Sequence, residues 1–293
     1  MDSNTRQIGG GLTELPSDDR DISVGAMYRL LPYPNQSFIV APPLKIKDQG
    51  DSDLCAAYTV TEVSEDQEGI ELSPEFQFAM MKELEGDYTT WGANLRMAMK
   101  SAVKVGSITQ ANNPHKLAEK GRDFVANWKN YPPVHAMTAE THRKDYYMSA
   151  EGGKDPFDSI VRALWTFRNE RRTVATGMLW RNEWTDAPQG IIPEPYGAGA
   201  FGHAFKFFGQ KFFGDKPYLM AQLSNGTEIG DGGIFYFPRS VVNNECTFGN
   251  FMFKDLPETI TKEQAQEKSY YYRRGVRGRV LFFIKDYFNQ ILA

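Results

Sequence analysis

Two cysteines occur in the 293 residues, and one of them, Cys55, stands where loop composition gives way to a helical pattern. The stretch Asp48-Gln49-Gly50-Asp51-Ser52-Asp53-Leu54 is polar and turn-rich, whereas Cys55-Ala56-Ala57-Tyr58 opens an apolar, small-residue run. A thiol in the first turn of a helix meets unpaired N–H groups and the positive end of the helix dipole, and both favour the thiolate. The chemistry open to such a group is nucleophilic attack. Gln49, upstream of it, carries a carboxamide that can donate to the oxyanion formed by attack on a carbonyl. Asp53 opposes the thiolate by its charge, or selects a basic group on an incoming substrate. The plain alternative is that Cys55 is a small, buried, inert side chain.

The surrounding elements have to hold that thiol in place. A helical pattern runs from Cys55 to about Glu65, and Ser73-Pro74 has an N-cap followed by a first-turn proline ahead of Phe76 to Met81. A third helix is expected from Gly92 to Val105, closed by Gly106. Residues 107–135 read as irregular, with turns at Asn112-Asn113-Pro114 and Tyr131-Pro132-Pro133 and a short helix at Leu117 to Trp128. Strands follow at Tyr146 to Met148 and Arg172 to Trp180, with a helix from Asp155 between them. Phe201-Gly202-His203-Ala204-Phe205-Lys206-Phe207 alternates with period two, as a half-buried strand does, and carries one of the four histidines.

The string from Asp48 to Tyr58 resembles the active-site segment of papain-like cysteine peptidases (family C1). Asp48, Gln49, Gly50, Cys55, Ala57 and Tyr58 match it, whereas Ser52, Asp53, Leu54 and Ala56 depart from it. Leu72-Ser73-Pro74 and the strand around His203 recur at the corresponding places in that family. The stretch Lys216 to Pro238 resembles its closing hairpin; the glycines and Asp231 align without a gap, which puts Leu223 where the histidine-orienting asparagine belongs and Asn225 where a shielding tryptophan belongs. The likeness spans roughly residues 40 to 250.

The resemblance implies an α+β, papain-like two-lobed fold over residues 26–254, with a helical lobe at about 50–140, an antiparallel β-barrel-like lobe at about 141–254 and a cleft between them. It implies a cysteine peptidase in which Cys55 attacks, His203 moves the proton, Gln49 stabilises the oxyanion, and Asn225 stands in as the orienting group for His203. Asp53, Gly92, Gly202 and Ala204 are then the substrate-binding positions, the substrate is a polypeptide, and neither cofactor nor metal is needed. Two other readings stand beside it: the same scaffold used to bind a peptide or partner without catalysis, and acyl transfer on an amide other than a peptide bond. Residues 1–25, rich in Gly, Asp and Ser, read as an extended arm, and no inhibitory propeptide is expected.

Composition narrows the classes further. A hydrophobic content of 41% supports a sizeable core, and a net charge of -4 disfavours nucleic acid as a general partner. The polar start lacks a signal peptide's features, and no apolar run reaches the ~20 residues a membrane span needs. Cys55 and Cys246 give no disulfide framework, which fits a cytoplasmic or otherwise reducing compartment, and His115, His135, His142 and His203 lack metal-ligand spacing. Residues 255–293 read as a helical extension, in which Arg273, Arg274, Arg277 and Arg279 among tyrosines offer a protein-partner site or form a solvated turn before a docked helix.

Overall fold

Small side chains on one face of two neighbouring strands decide where the helices sit. The computed structural model describes residues 11–13, 21–86, 90, 92–112, 142–151, 154–194, 199 and 201–255. Within it β3 (Val174–Trp180) pairs antiparallel with β4 (Phe201–Phe213), Met178 standing opposite His203 and Gly177 opposite Ala204. Ala175 and Ala204 face one way and join a buried cluster with Cys55, Tyr58 and Val63 of α2 (Cys55–Glu68) and with Leu95 and Met99 of α4 (Leu95–Lys104). Because residues alternate across a strand, Met178, Trp180, Phe205 and Phe207 face the other way. There they meet Ile160 and Leu164 of α5 (Pro156–Thr166), Val241 of α6 (Arg239–Glu245) and Phe235 and Phe237 of β6 (Ile234–Pro238).

Among the described residues the strand order is β2-β7-β3-β4-β5-β6, with β1 (Phe38–Ile39) also on β4, β2 at Tyr146–Ser149, β5 at Lys216–Gln222 and β7 at Asn250–Lys254. The sheet's ladders are antiparallel, and among the described residues its end strands β2 and β6 do not pair to close a barrel. Local chemistry sets the helix starts. Ser73 caps α3 (Pro74–Glu85) by accepting from the Phe76 N–H at 3.2 Å, and Asn94 caps α4 by accepting from Met97 at 2.8 Å, so α4 begins at Leu95 rather than at Gly92. The expected helix at Leu117 to Trp128 and the extension with Arg273, Arg274, Arg277 and Arg279 lie outside the described residues. Among the described residues no helix is long and apolar enough to cross a membrane.

The far half of α2 buries three acids against two lysines. Lys206 on β4 bonds both Asp66 oxygens at 2.7 Å, and the Lys47 ammonium bonds Glu65, which also accepts from the Leu72 N–H at 2.7 Å. Glu62 lies between them, fully buried, and neither of its carboxylate oxygens makes a hydrogen bond. Burial pushes its pKa up to about 8, with Lys206 and Lys47 pulling it down and Glu65 and Asp66 pushing it up. The folded protein therefore holds a proton that the unfolded chain releases above the usual carboxylate range, and stability falls as pH rises toward about pH 8. Glu62→Gln removes this titration and is expected to flatten the urea stability profile between about pH 5 and about pH 8, with a gain of about 1–3 kcal/mol at the upper end. An unchanged slope would mean that Glu62 titrates alike in the folded and unfolded states.

Candidate active site

Cys55 is the first residue of α2, and the preceding Leu54 offers no side-chain cap. An apolar N-cap leaves first-turn N–H groups without the usual oxygen acceptor, and the sulfur occupies that end of the helix. The side chain is fully buried. Burial pushes the thiol pKa up, hydrogen bonds from the backbone N–H groups of Gly11, Ala204 and Ala56 pull it down, and the Asp53 charge pushes it up again. The structure thus brings Cys55, Ala204 and Asp53 together, and adds a neighbour the sequence did not suggest, Gly11.

Gln49 is locked beside them. Its backbone N–H donates to the Ser224 carbonyl at 2.7 Å, its Nε2 donates to the Ser52 carbonyl at 2.7 Å, and its Oε1 accepts from the Ser224 hydroxyl at 2.7 Å. Ser224 therefore fixes the orientation of the carboxamide, a role not anticipated for it. Ser52 returns a hydroxyl bond to the Gln49 carbonyl at 2.6 Å and makes the Asp48–Asp53 loop a closed turn.

His203 sits on β4 with its imidazole among aromatic edges: Trp180 at 5.6 Å, Phe205 at 6.3 Å and Phe201 at 6.4 Å between ring centroids. It is buried, and Ala204, the next residue, carries the N–H that reaches the Cys55 sulfur. The end of α2 and the histidine strand thus meet. The orienting position is a different matter. Leu223 is fully buried in the apolar cluster that contains Trp180 and Phe235. Asn225 pairs its backbone with Asp48, and its Oδ1 is buried without a hydrogen-bond partner. The expected bond from the His203 ring to the Asn225 carboxamide oxygen is therefore not made. Asn225 is held by its backbone pairing on the Gln49 side of the loop, and a tryptophan from β3 packs on the imidazole in place of the missing shield at position 225.

The backbone of residues 11–13 lies between Gly202 on one side and Gly92 and Ala93 on the other, beside the sulfur. The Ala93 N–H donates to the Gly11 carbonyl at 2.8 Å, the Leu12 N–H donates to the Gly202 carbonyl at 3.2 Å, and the Thr13 N–H donates to the Ala93 carbonyl at 3.3 Å. The approach is close enough to require glycine. A Cβ on Gly92 would stand 1.9 Å from the Gly11 carbonyl oxygen, and one on Gly202 would stand 2.1 Å from that of Leu12. The Leu12 side chain is buried, and a Cβ on Gly177 would meet its Cδ2 at 2.3 Å. Residues 11–13 of the N-terminal arm thus lie beside the thiol. Gly11 is the residue that permits it, since a Cβ there would stand 2.1 Å from the Asp53 carbonyl oxygen.

No protein-family model and no curated protein matches the chain. Solved structures do. Xylellain, a cysteine protease from Xylella fastidiosa, superposes with a TM-score of 0.66 at 18% identity over 85% of this chain and 97% of its own. Digestive procathepsin L 3 of Tenebrio molitor larval midgut gives 0.58 at 15% identity over 81% of this chain and 76% of its own. The bromelain protease from Ananas comosus gives 0.54 at 16% identity over 77% and 100%. Together with a cysteine opening the helix and a histidine on the strand beside it, these likenesses give the chain the papain-like fold of the C1 cysteine proteases.

Proposed function

We propose that the protein is a cysteine peptidase that cleaves peptide bonds through Cys55 and His203. The observation that carries this reading is that Gly202 and Ala93 both hydrogen-bond a stretch of main chain, residues 11–13, beside the Cys55 sulfur. The structural neighbours named as proteases support the same class of reaction. In the proposed cycle His203 takes the Cys55 proton, and the sulfur attacks the substrate carbonyl carbon. The oxygen gathers negative charge against the Cys55 N–H and the Gln49 carboxamide, and His203 returns the proton to the departing amine. Water, deprotonated by His203, then cleaves the thioester and restores the thiol. Asp53, Gly92, Gly202 and Ala204 are the proposed substrate contacts, as the neighbours of the sulfur and of residues 11–13.

Leu223 favours a second reading, a peptide-binding scaffold that has lost turnover, because leucine cannot accept a hydrogen bond from the imidazole. Alkylation separates the two. The peptidase reading expects iodoacetamide or a thiol-directed epoxide to modify Cys55 and to stop cleavage of a peptide mixture in proportion to the modification. Peptides left uncut by a protein that retains an alkylatable Cys55 would leave the binding scaffold standing.

A further inference from the structure

Two turns of α2 beyond the sulfur, on the same side of the helix, the chain buries an acid that no cation bonds. Cys55, Thr59, Glu62 and Asp66 follow the spacing of four, three and four that keeps side chains on one helix face. That face lies on β4, where the Ala204 N–H reaches the Cys55 sulfur and the Lys206 ammonium holds Asp66. Ala204 and Lys206, two residues apart, share one face of the strand. Both ends of the stripe are therefore fixed. Glu62 is enclosed between them together with Thr59, whose hydroxyl also has no hydrogen-bond partner among the described residues.

The charges around Glu62 do not balance. Lys206 gives its bonds to Asp66, and Lys47 gives its own to Glu65 and to the Leu72 carbonyl at 3.0 Å. Three carboxylates thus face two ammonium groups, and the interior carries one net negative charge when Glu62 is ionised and none when it is protonated. The other elements packed on α2 bring charges that are engaged elsewhere. Glu75 of α3 accepts from the Ser73 hydroxyl at 2.9 Å and acts, with Glu62, on the Tyr58 hydroxyl. Arg96 of α4 pairs with Asp21, and Arg171 gives its Nε to the Asp66 carbonyl at 2.6 Å. From β3 and β7 come the apolar Ala175, Phe251 and Phe253.

We propose that Glu62 is a positioning residue for the thiol chemistry, a proton-controlled charge that acts along α2 and weakens Cys55 as a nucleophile when it ionises. The proposal rests on the peptidase reading for the step it governs, but not for its test. Seven residues of helix separate the two groups by about 10 Å. At that distance, and at an effective dielectric of about 20, one uncompensated negative charge lowers the thiolate population about tenfold. The protonated acid exerts no such field, and the N-terminus of α2 then acts on the sulfur unopposed. When Glu62 loses its proton to solvent, the carboxylate opposes a second negative charge on the same helix, and the sulfur keeps its own proton. Burial holds Glu62 neutral up to about pH 8, so the attenuation falls on the alkaline side, where an ordinary thiol gains reactivity.

The test is the pH dependence of the rate at which iodoacetamide alkylates Cys55 in the full-length chain, followed by mass spectrometry of the peptide that contains it. The natural chain is compared with Glu62→Gln and Glu62→Met, the second of which keeps the test open if a buried carboxamide unfolds the protein. All three are expected to react alike below about pH 7, where none carries a charge at this position, and to separate above about pH 8, with both variants reaching rates about tenfold higher. A change in packing alone would move the whole curve by one factor at every pH. Profiles that stay parallel from about pH 6 to about pH 10, or variants that react more slowly than the natural chain above about pH 8, would overturn the proposal. The two readings fail separately, because alkylation needs no substrate. Separating profiles without peptide cleavage remove the peptidase and keep the role of Glu62, whereas cleavage with parallel profiles removes that role and keeps the peptidase.

Discussion

Exchanging His203 for glutamine is expected to lower kcat/KM for a peptide amide by about 10³-fold or more. Glutamine approximates the volume of the ring and keeps polar atoms in the same buried site, but it cannot take up the thiol proton or return one to the departing amine. The aromatic edges of Trp180, Phe201 and Phe205 remain as walls, so the fold should survive. An activated ester distinguishes chemistry from damage, because its leaving group departs without a proton and should lose far less rate than the amide. Equal losses on both substrates would mean that His203 does not protonate the departing amine, and an amide loss below about tenfold that it moves no proton in the cycle. The same logic gives Leu223→Asn the opposite sign. A carboxamide at that position supplies the acceptor that Asn225 does not, and turnover should rise about tenfold while a buried polar group costs about 1–3 kcal/mol of stability.

Much of this site was legible in the sequence because its parts announce themselves locally. A cysteine at a loop-to-helix junction, a serine and proline that start α3, and an alternating strand around His203 are each short-range signals, and all three elements form where they were expected. Side-chain roles that depend on which of two faces is used were not legible. Strand counting puts Asn225, two residues beyond Leu223, on the same face, but the chain leaves β5 at Gln222, the Asn225 backbone bridges Asp48, and its Oδ1 has no hydrogen-bond partner among the described residues. Trp180 reads as one more strand residue until the β3–β4 register sets it beside His203. Leu12 was least visible of all. Its partners Ala93, Gly177, Gly202 and Phe248 come from four separate stretches, and nothing periodic in the arm marks it as a residue to be buried.

Replacing Lys206 alone with methionine is expected to destabilise the protein by about 3–5 kcal/mol in urea unfolding, because it strands a carboxylate in the interior. Asp66 and Lys206 are each nearly without solvent contact, and among the described residues the other side-chain bond to Asp66 comes from the Thr173 hydroxyl at 2.6 Å. Burial already raises the Asp66 pKa against the pull of Lys206, so without the lysine the acid must either stay charged at high cost or take up a proton. The double exchange Lys206→Met with Asp66→Leu removes both charges and should recover most of the loss, which a merely cavity-forming effect at Lys206 would not allow. Stability and turnover should then part company. Helix α2 carries Cys55 at one end and Asp66 near the other, and β4 carries His203 and Lys206, so the ion pair pins the helix to the strand at the end away from the chemistry. Apolar side chains fill that space without a preferred geometry, and a helix free to slide by a fraction of an ångström moves the thiol against the imidazole. The double variant is therefore expected to unfold nearly as late as the natural chain yet turn over peptide about tenfold more slowly, and wild-type turnover in it would show that the pair contributes to folding alone.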